Sequence, residues 1–567
     1  MSEPWHRLQL LVALGFALLL TRLGWLQLKA GQDFARQARQ NATRRLTLAA
    51  PRGAITDRLG RVLVSNAPGY SVSLVAGRST RHQALLAAVA DCLGLSPERV
   101  EQLNHSLATD PSQEVAVLSS LDRSQLARLA ELSNLFPEIR LEEVPGRHYP
   151  YGSLACHTLG HLGQGEAGWE GREGLEFSQQ RRLEGQPGER VVQVDSRGQV
   201  LRVLSERAPR PGQALRLTLD LELQQVAEQA LAAQLESRSR ALKQWVAGAA
   251  VAIEPDTGKV RAMVSLPGYQ PEWFLGSAPP GTFERLFKDP RGPLVHRAVG
   301  AAYPPASTFK LVTTMAALEA GRLPTGRVFH CGGALVVGGM PFHCFVRSGH
   351  GSLQLESALA QSCDVVFYQL GRELGAGPLV TWSRRLGLGR PTGICLPGEV
   401  AGNVPTPEWK EKEMGVPWFP GDDANFSIGQ GFLTVTPLQM AVLVSSLVNG
   451  GRRIRPRLLE DEAFEFESLE LPAHPRLLAG LRKTAVEGTA RGVADDLDFS
   501  GKTGTVENFS SFLNPFGANH VWFVGYAPSS QPKLVVVVFI ERSGGYGGSL
   551  AAPVAATILR AWRPDRK

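Results

Sequence analysis

No internal repeat and no low-complexity segment interrupts the 567 residues, which excludes a solenoid array and a chain made of unfolded linker. Nor does a compact basic stripe or a nucleic-acid motif accompany the net charge of +7. The charges are dispersed, which suits an anionic surface or polymer and leaves no case for nucleic acid. Long apolar runs are equally scarce. The one at residues 8–20 is flanked by Trp5, Arg7 and Trp25, and it reaches membrane length if residues 23–28 continue it past Arg22. Arg22 then lies near an interface, where its charge can snorkel, or faces a partner. A cleaved signal peptide is the alternative, but Leu28-Lys-Ala30 makes a poor cleavage site. Arg22, Lys29, Arg36 and Arg39 put more positive charge after the segment than before it, so charge alone does not orient it.

What is present reads as ordinary globular protein, 43% hydrophobic and 20% charged, long enough for two or three domains. Residues 32–45 look like a polar helix leading away from the apolar segment. Alternation at 70–75 predicts a strand, and leucine- and alanine-rich helical spacing fills about 80–145, with Cys92 on an apolar face. A helix is expected over 221–241, a hairpin over 246–265 turning at Asp256-Thr-Gly258, and a helix over 437–449. Buried strands are expected at 520–526 and 533–541, with a terminal helix at 552–562. An antiparallel sheet packed between helices fits this order.

The chemistry concentrates in Tyr303-Pro-Pro-Ala-Ser-Thr-Phe-Lys310. Two prolines stop incoming structure, and apolar residues at Phe309, Val312, Met315 and Leu318 predict a helix that ends at Gly321. Ser307 falls at its start, among unpaired backbone N–H groups, and Lys310 shares its face one turn on. A serine hydroxyl becomes a nucleophile when a neighbouring base takes its proton, and a helix start can lend an N–H to an oxyanion. Alone, Ser-x-x-Lys is as readily a helix cap followed by a solvated lysine. Two further elements follow in order: Ser362-Cys363-Asp364, 55 residues on, and Lys502-Thr503-Gly504-Thr505. Together the three resemble the motifs of the penicillin-binding and serine β-lactamase superfamily.

Upstream, Arg52-Gly53, Ile55, Asp57-Arg58 and Gly60, then Arg147-His-Tyr-Pro150 and Gly171-Arg-Glu-Gly-Leu-Glu176, look like the pedestal motifs of class B penicillin-binding proteins. Read by themselves they are an arginine–aspartate pair bracing a turn and a structural arm. Val404-Pro-Thr-Pro-Glu-Trp409-Lys, Pro417-Trp418, Gly421-Asp422, Ser427-Ile-Gly-Gln-Gly431 and Thr436-Pro-Leu-Gln439 are similar to the elongation-type branch represented by penicillin-binding protein 2. The resemblance implies a multidomain α+β chain. Residues 1–29 are a cytoplasmic tail and uncleaved transmembrane anchor. Residues 30–215 are a β-rich pedestal (dimerisation-type) domain with a head insert at about 80–145. Residues 216–567 are a transpeptidase-like domain, outside the cytoplasm on the cytoplasmic membrane.

The resemblance also assigns roles. Ser307 is the nucleophile and Lys310 its base, Ser362 relays a proton to the leaving amine, and Lys502 completes the catalytic set. Lys502 attracts the substrate's terminal carboxylate and Thr503 or Thr505 hydrogen-bonds it, Gly504 lets the strand approach the substrate, and Asp364, counted with these substrate-binding positions, stands where the family commonly has Asn. The N–H groups of Ser307 and Thr505 form the oxyanion hole. The implied reaction is D,D-transpeptidation of peptidoglycan stem peptides, with β-lactams as donor mimics. No upstream glycosyltransferase domain is visible, so a polymerase partner of the RodA type (SEDS glycosyltransferase) and other elongation-complex membrane proteins are expected. D,D-carboxypeptidation with water as acceptor is the enzymatic alternative, and a scaffold activating a wall polymerase is the non-catalytic one. No dedicated deacylating base is found, against a β-lactamase.

Cysteine is sparse, six in all, yet Cys331, Cys344 and Cys363 fall with His350 inside 33 residues. Cys₃His is structural zinc chemistry. A Cys331–Cys344 disulfide, suited to an oxidising compartment, and unlinked thiols remain alternatives. His330 or His343 could replace His350 as ligand, and Cys156 and Cys395 look structural or free.

Overall fold

The strand Leu534–Glu541 reads Leu-Val-Val-Val-Val-Phe-Ile-Glu, and both its faces are buried. Val536, Val538 and Ile540 pack into one core, while Val535, Val537 and Phe539 pack into the other. Val521 and Phe523 divide from Trp522 and Val524 in the same way on the neighbouring strand His520–Ala527. Period-two side chains with apolar residues at both phases can only be satisfied when a sheet is covered on both sides.

The sheet is five-stranded and antiparallel, in the order Val260–Leu266, Ala247–Ile253, Leu534–Glu541, His520–Ala527, Ser500–Val506. Helices Leu221–Leu242 and Gly547–Ala561 contribute to one core, Lys310–Glu319 and Pro437–Val448 to the other. Asp220 starts the first helix by accepting from the Glu222 and Leu223 N–H groups. Thr436 and Gln439 close a reciprocal capping box on Pro437–Val448.

The structure, a computed structural model, describes the chain except residues 1–2, 30, 32–41, 76–81, 110–113, 119–120, 122, 166–167, 196–199, 507–518 and 564–567. The chain divides into two units. One comprises Met1–Gly53, Pro68–Gly146 and Glu184–Gln213, the other Ala54–Ala67, Arg147–Leu183 and Ala214–Lys567.

In the first unit, helix Glu3–Gly24 continues through a wider π turn, Trp25–Lys29. Over Leu8–Lys29 it is long and apolar enough to cross a membrane by length and composition. A three-stranded sheet pairs Gly188–Val194 with Thr43–Leu48 and Val200–Arg207. The expected polar helix at 32–45 lies mostly outside the described residues, and its end is strand instead. Thr43 and Thr47 are β-branched and suit a pleated ladder. Helices His82–Leu93, Pro97–Thr109 and Arg123–Leu135 enclose a small core that includes Cys92. The head insert also holds the strand Glu114–Leu118, paired with Val72 to Val75, which helical spacing does not predict.

In the second unit the pedestal motifs are ion pairs. Asp57 accepts from the Leu59 and Arg61 N–H groups at 2.9 and 2.8 Å and pairs with Arg61, while Arg58 meets Asp220 at 2.6 Å. Arg147 Nε donates to Glu176 Oε1 at 2.7 Å with both side chains at most 1% exposed. Between the Ser362 motif and Pro437 the chain carries helices Ala376–Arg385, Pro407–Met414 and Pro420–Ser427, where the sequence pattern suggests only loop to about 425. Pro407 and Pro420 stand at the first helical positions, where no N–H is needed, and the two short helices they open carry few apolar residues, so their period is weak.

Truncating one member of a buried pair leaves the other charged and desolvated. Arg147→Ala is expected to lose about 3–5 kcal/mol, read as a lowered denaturant midpoint. Arg147→Met with Glu176→Leu together should recover most of it.

Candidate active site

Pro304 and Pro305 bring the chain to Ala306 with no N–H of their own to satisfy. Trp522 Nε1 donates to the Pro304 carbonyl at 2.9 Å, and Ala306 N–H donates to Gly429 O at 2.9 Å. Ala306 sits in the left-handed region at φ 50°, so the helix cannot begin through it. Ser307 therefore lies in the tight 3₁₀ turn Ala306–Phe309, and the α-helix starts only at Lys310. The sequence expectation of a plain α-helical start is corrected by that one residue.

The turn is clamped by two glycines. A Cβ on Gly429 would meet Ala306 O at 2.3 Å and Phe309 Cβ at 2.5 Å. A Cβ on Gly504 would press at 3.1 Å on both Pro305 O and Thr308 Cγ2. The close approach that Gly504 permits within the protein is to the serine turn. Lys502-Thr-Gly-Thr505 lies on the edge strand Ser500–Val506. Alternation sends Lys502 inward, while Thr503 and Thr505 face the cleft.

Ser362 occupies the elbow between helices Leu355–Ala360 and Asp364–Leu374, also left-handed at φ 52°. Such backbone costs about 1–3 kcal/mol per residue and persists where its surroundings fix it. Both strained residues adjoin or belong to the motifs. Lys310 Nζ donates to Ser362 O at 2.8 Å, to Ser362 Oγ at 3.3 Å and to Asp364 Oδ1 at 2.8 Å. Lys502 Nζ donates to Ser362 Oγ at 2.8 Å and to Thr503 O at 2.9 Å. Both lysines are fully buried, and one hydroxyl stands between them.

Complete burial, then the charge of Lys310, holds the Lys502 ammonium well below lysine's usual range, with Asp364 opposing. Asp364, expected among the substrate-binding positions, also has partners of its own within the protein. It borders the cleft, but Oδ1 holds Lys310 and Oδ2 accepts the Phe345 N–H at 3.2 Å.

Ser307, Ser362, Asp364, Thr503 and Thr505 line one cleft of about 620 Å³. Its other residues include Phe345, Arg347, Asn425, Thr489 and Tyr546-Gly-Gly548, none of which the motif reading names. Thr489 and Thr503 share a 2.6 Å hydroxyl contact, and Gly547 N–H donates to Thr505 Oγ1 at 3.3 Å. The Gly544-Gly-Tyr-Gly-Gly548 run is the one visible signal for these. Thr489 and Arg347 carry none.

Beside the cleft, the ligand atoms of Cys331, Cys344, His350 and Cys363 all lie within 4.8 Å of one another. His350 Nδ1 is 3.7 Å from Cys331 Sγ and 3.5 Å from Cys344 Sγ. A tetrahedral ion with bonds of about 2.0–2.3 Å sets such donors roughly 3.5–3.8 Å apart, so the four residues fit zinc. All six cysteines are free, so the Cys331–Cys344 disulfide is not formed. A hydrogen bond with Cys363 pulls the Cys344 thiol down to about 5, and the same contact pushes Cys363 up. His330 and His343 are exposed and outside the group.

A family model described as the penicillin binding protein transpeptidase domain matches residues 248–560, and one described as the penicillin-binding protein dimerisation domain matches residues 47–217. The chain is 30% identical over 590 residues to the peptidoglycan D,D-transpeptidase MrdA of Escherichia coli K12, covering 96% of this chain and 90% of the relative. It is 30% identical over 597 residues to MrdA of Acinetobacter baumannii, covering 98% and 87%. Among solved structures, penicillin-binding protein PBP2 of Helicobacter pylori in complex with MreC shares the fold, with a TM-score of 0.77 at 24% identity over 91% of this chain and 98% of that one. A chain of the structure reported as "Structural coordination of polymerization and crosslinking by a peptidoglycan synthase complex" has a TM-score of 0.72 at 30% identity, over 100% and 99%.

Because Lys502 titrates lower in the native protein than in the unfolded chain, the unfolded chain binds more protons between that native value and the ordinary 10.5. Stability contributed by this group therefore rises with pH through that window and falls as pH drops toward the native value. Lys502→Met should flatten the slope, measured as the difference between thermal midpoints of the two proteins across neutral to alkaline pH.

Proposed function

The chain belongs to the penicillin-binding protein transpeptidase family, and from that premise we propose that it is a peptidoglycan D,D-transpeptidase of the elongation type, working through an acyl-serine on Ser307. The observation that carries this reading is Ser362 Oγ held between the buried Lys310 and Lys502 at the base of the cleft that Ser307 lines.

Ser307 Oγ attacks the carbonyl joining the two terminal D-alanines of a stem peptide. Its proton goes to Lys310 once the extra proton of that amine has moved. Asp364 Oδ1 and, through Ser362 Oγ, Lys502 are the groups in contact to take it. The N–H groups of Ser307 and Thr505 hold the developing oxyanion. The C–N bond breaks, the departing D-alanine amine collects a proton through Ser362 Oγ, and an ester remains on Ser307. An amine of a neighbouring stem attacks the ester, forms the new amide and returns the proton to Ser307. Thr503 and Thr505 bind the donor's terminal carboxylate, and the edge strand lets the donor add as a further strand. Water in place of the amine gives carboxypeptidation by the same ester. A β-lactam keeps its leaving amine tethered and stalls at the ester.

The helix Leu8–Lys29 supports a single-pass anchor in the cytoplasmic membrane, with the catalytic unit outside the cytoplasm. The likeness over the whole chain to a component of a peptidoglycan synthase complex supports a membrane polymerase of the RodA type as partner. Cys331, Cys344, His350 and Cys363 would hold one structural zinc, all four positions being protein ligands. Cys363 precedes Asp364 and follows Ser362 directly, so the ion would pin both.

Two measurements test the reading. Fluorescent penicillin should label the wild type covalently and leave Ser307→Ala unlabelled; a band surviving in the variant would falsify acylation at Ser307. Elemental analysis of protein purified without chelator should find about one zinc per chain. Cys363→Ala should lose the metal and lower the thermal midpoint, and metal-free wild-type protein of unchanged stability would remove the zinc.

A further inference from the structure

Pro304, Pro305 and Ala306 set where Ser307 stands, and each is held by a different group. Pro305 O accepts the Thr308 hydroxyl at 2.6 Å, Ala306 N–H donates to Gly429 O at 2.9 Å, and Pro304 O accepts from Trp522 Nε1 at 2.9 Å. The first bond comes from the turn itself and the second from backbone, whereas the third comes from a side chain on the sheet. Trp522 stands opposite Gly504 on one side of its strand and opposite Phe539 on the other. A Cβ on Gly504 would lie 3.2 Å from Trp522 Cβ and 3.1 Å from Pro305 O, so the bare position at 504 lets tryptophan and serine turn close on the same strand. The indole is fully buried, with its ring centroid 4.5 Å from that of Phe539. An indole N–H can only donate, and here its acceptor is a carbonyl three residues before the nucleophile. Buried completely, Trp522 acts through the turn and not on substrate.

Resting on the function proposed above, we infer that Trp522 is a positioning residue for Ser307, its indole N–H holding the Pro304 carbonyl so that the nucleophile stays in register with Lys310 and Ser362. Proline has no N–H to anchor, so the carbonyl is the handle by which Pro304 can be held. Two residues on, Ala306 is kept in left-handed backbone at φ 50°, a conformation that alanine leaves when its surroundings allow. Releasing the carbonyl frees the chain on the approach to that strained residue, and Ser307 is the next along. A misplacement of about 1 Å at a reacting group is enough to slow a reaction on the order of a hundredfold. Substrate affinity is set elsewhere, so the loss falls on the chemical step.

The test uses the full-length protein in detergent and follows labelling by fluorescent penicillin over a series of concentrations. That separates the limiting rate of acylation from the half-saturating concentration. Two replacements remove the indole N–H. One is Trp522→Phe; the other is 3-benzothienylalanine placed at position 522 by codon suppression, which keeps the ring's shape and puts sulfur where the N–H stood. Both should lower the limiting rate by roughly tenfold, the worth of one neutral hydrogen bond, and leave the half-saturating concentration where it is. Phe539→Leu is the control: it thins the packing of the ring, keeps the N–H, and should lower the thermal midpoint with the limiting rate retained. An unchanged rate in the benzothienyl protein overturns the inference, as does a change confined to half-saturation. Acylation slowed equally by Phe539→Leu, or a benzothienyl protein that does not fold, would make Trp522 a stability element and overturn it too. Wild-type protein that takes up no penicillin overturns the function itself, and the inference with it.

Discussion

Two lysine side chains are buried around a single hydroxyl, and among the described residues one carboxylate, that of Asp364, is in contact with them. Burying one ammonium is costly and burying two side by side more so, which is why Lys502 is driven toward its neutral form and Lys310 is tied to Asp364. Everything else in the site is arranged so that this cluster holds. The elbow at Ser362 is strained, the Phe345 N–H fixes the carboxylate, and the edge strand delivers Lys502 from the other side. The surroundings meet a local cost so that a proton can move a short distance among groups already in contact.

The sheet supplies the rigidity. Strands Leu534–Glu541 and His520–Ala527 are apolar on both faces and fixed by packing, and the edge strand Ser500–Val506 is held to them by its ladder to His520–Ala527. Gly504 lets that strand close onto the serine turn, and Gly429 lets the turn close onto the loop before Pro437–Val448. The Ser427-Ile-Gly-Gln-Gly431 motif therefore bears on the nucleophile without touching substrate at Gly429. Zinc held by the Cys₃His group would do a parallel service on the wall of the cleft, since Cys344 and Cys363 immediately precede Phe345 and Asp364.

Element types followed from period where the period is strong. The two-faced strands, the hairpin at Asp256-Thr-Gly258, the capped helix after Asp220 and the capping box at Thr436 are all local statements that the chain makes in a few residues. The apolar helix near the N-terminus and the Asp57–Arg61 pair bracing its turn are of the same kind. Reading failed where the signal is weak or non-local. Helices Pro407–Met414 and Pro420–Ser427 carry little apolar periodicity, and the strand at Thr43–Leu48 is justified only by the partner it meets at Gly188–Val194.

The residue types for the chemistry, a serine with a lysine one turn on, a second serine, a second lysine on a strand and four soft ligands close together, were determined by the sequence alone. Tertiary structure decided what each one faces. Only folding puts Asp364 against Lys310 and Gly504 against the serine turn. The physical reason is range. Propensity, capping and periodicity act over a few residues, whereas the partner of a buried charge or the neighbour of a missing Cβ comes from segments tens to hundreds of residues away, brought there by the packing of the sheet.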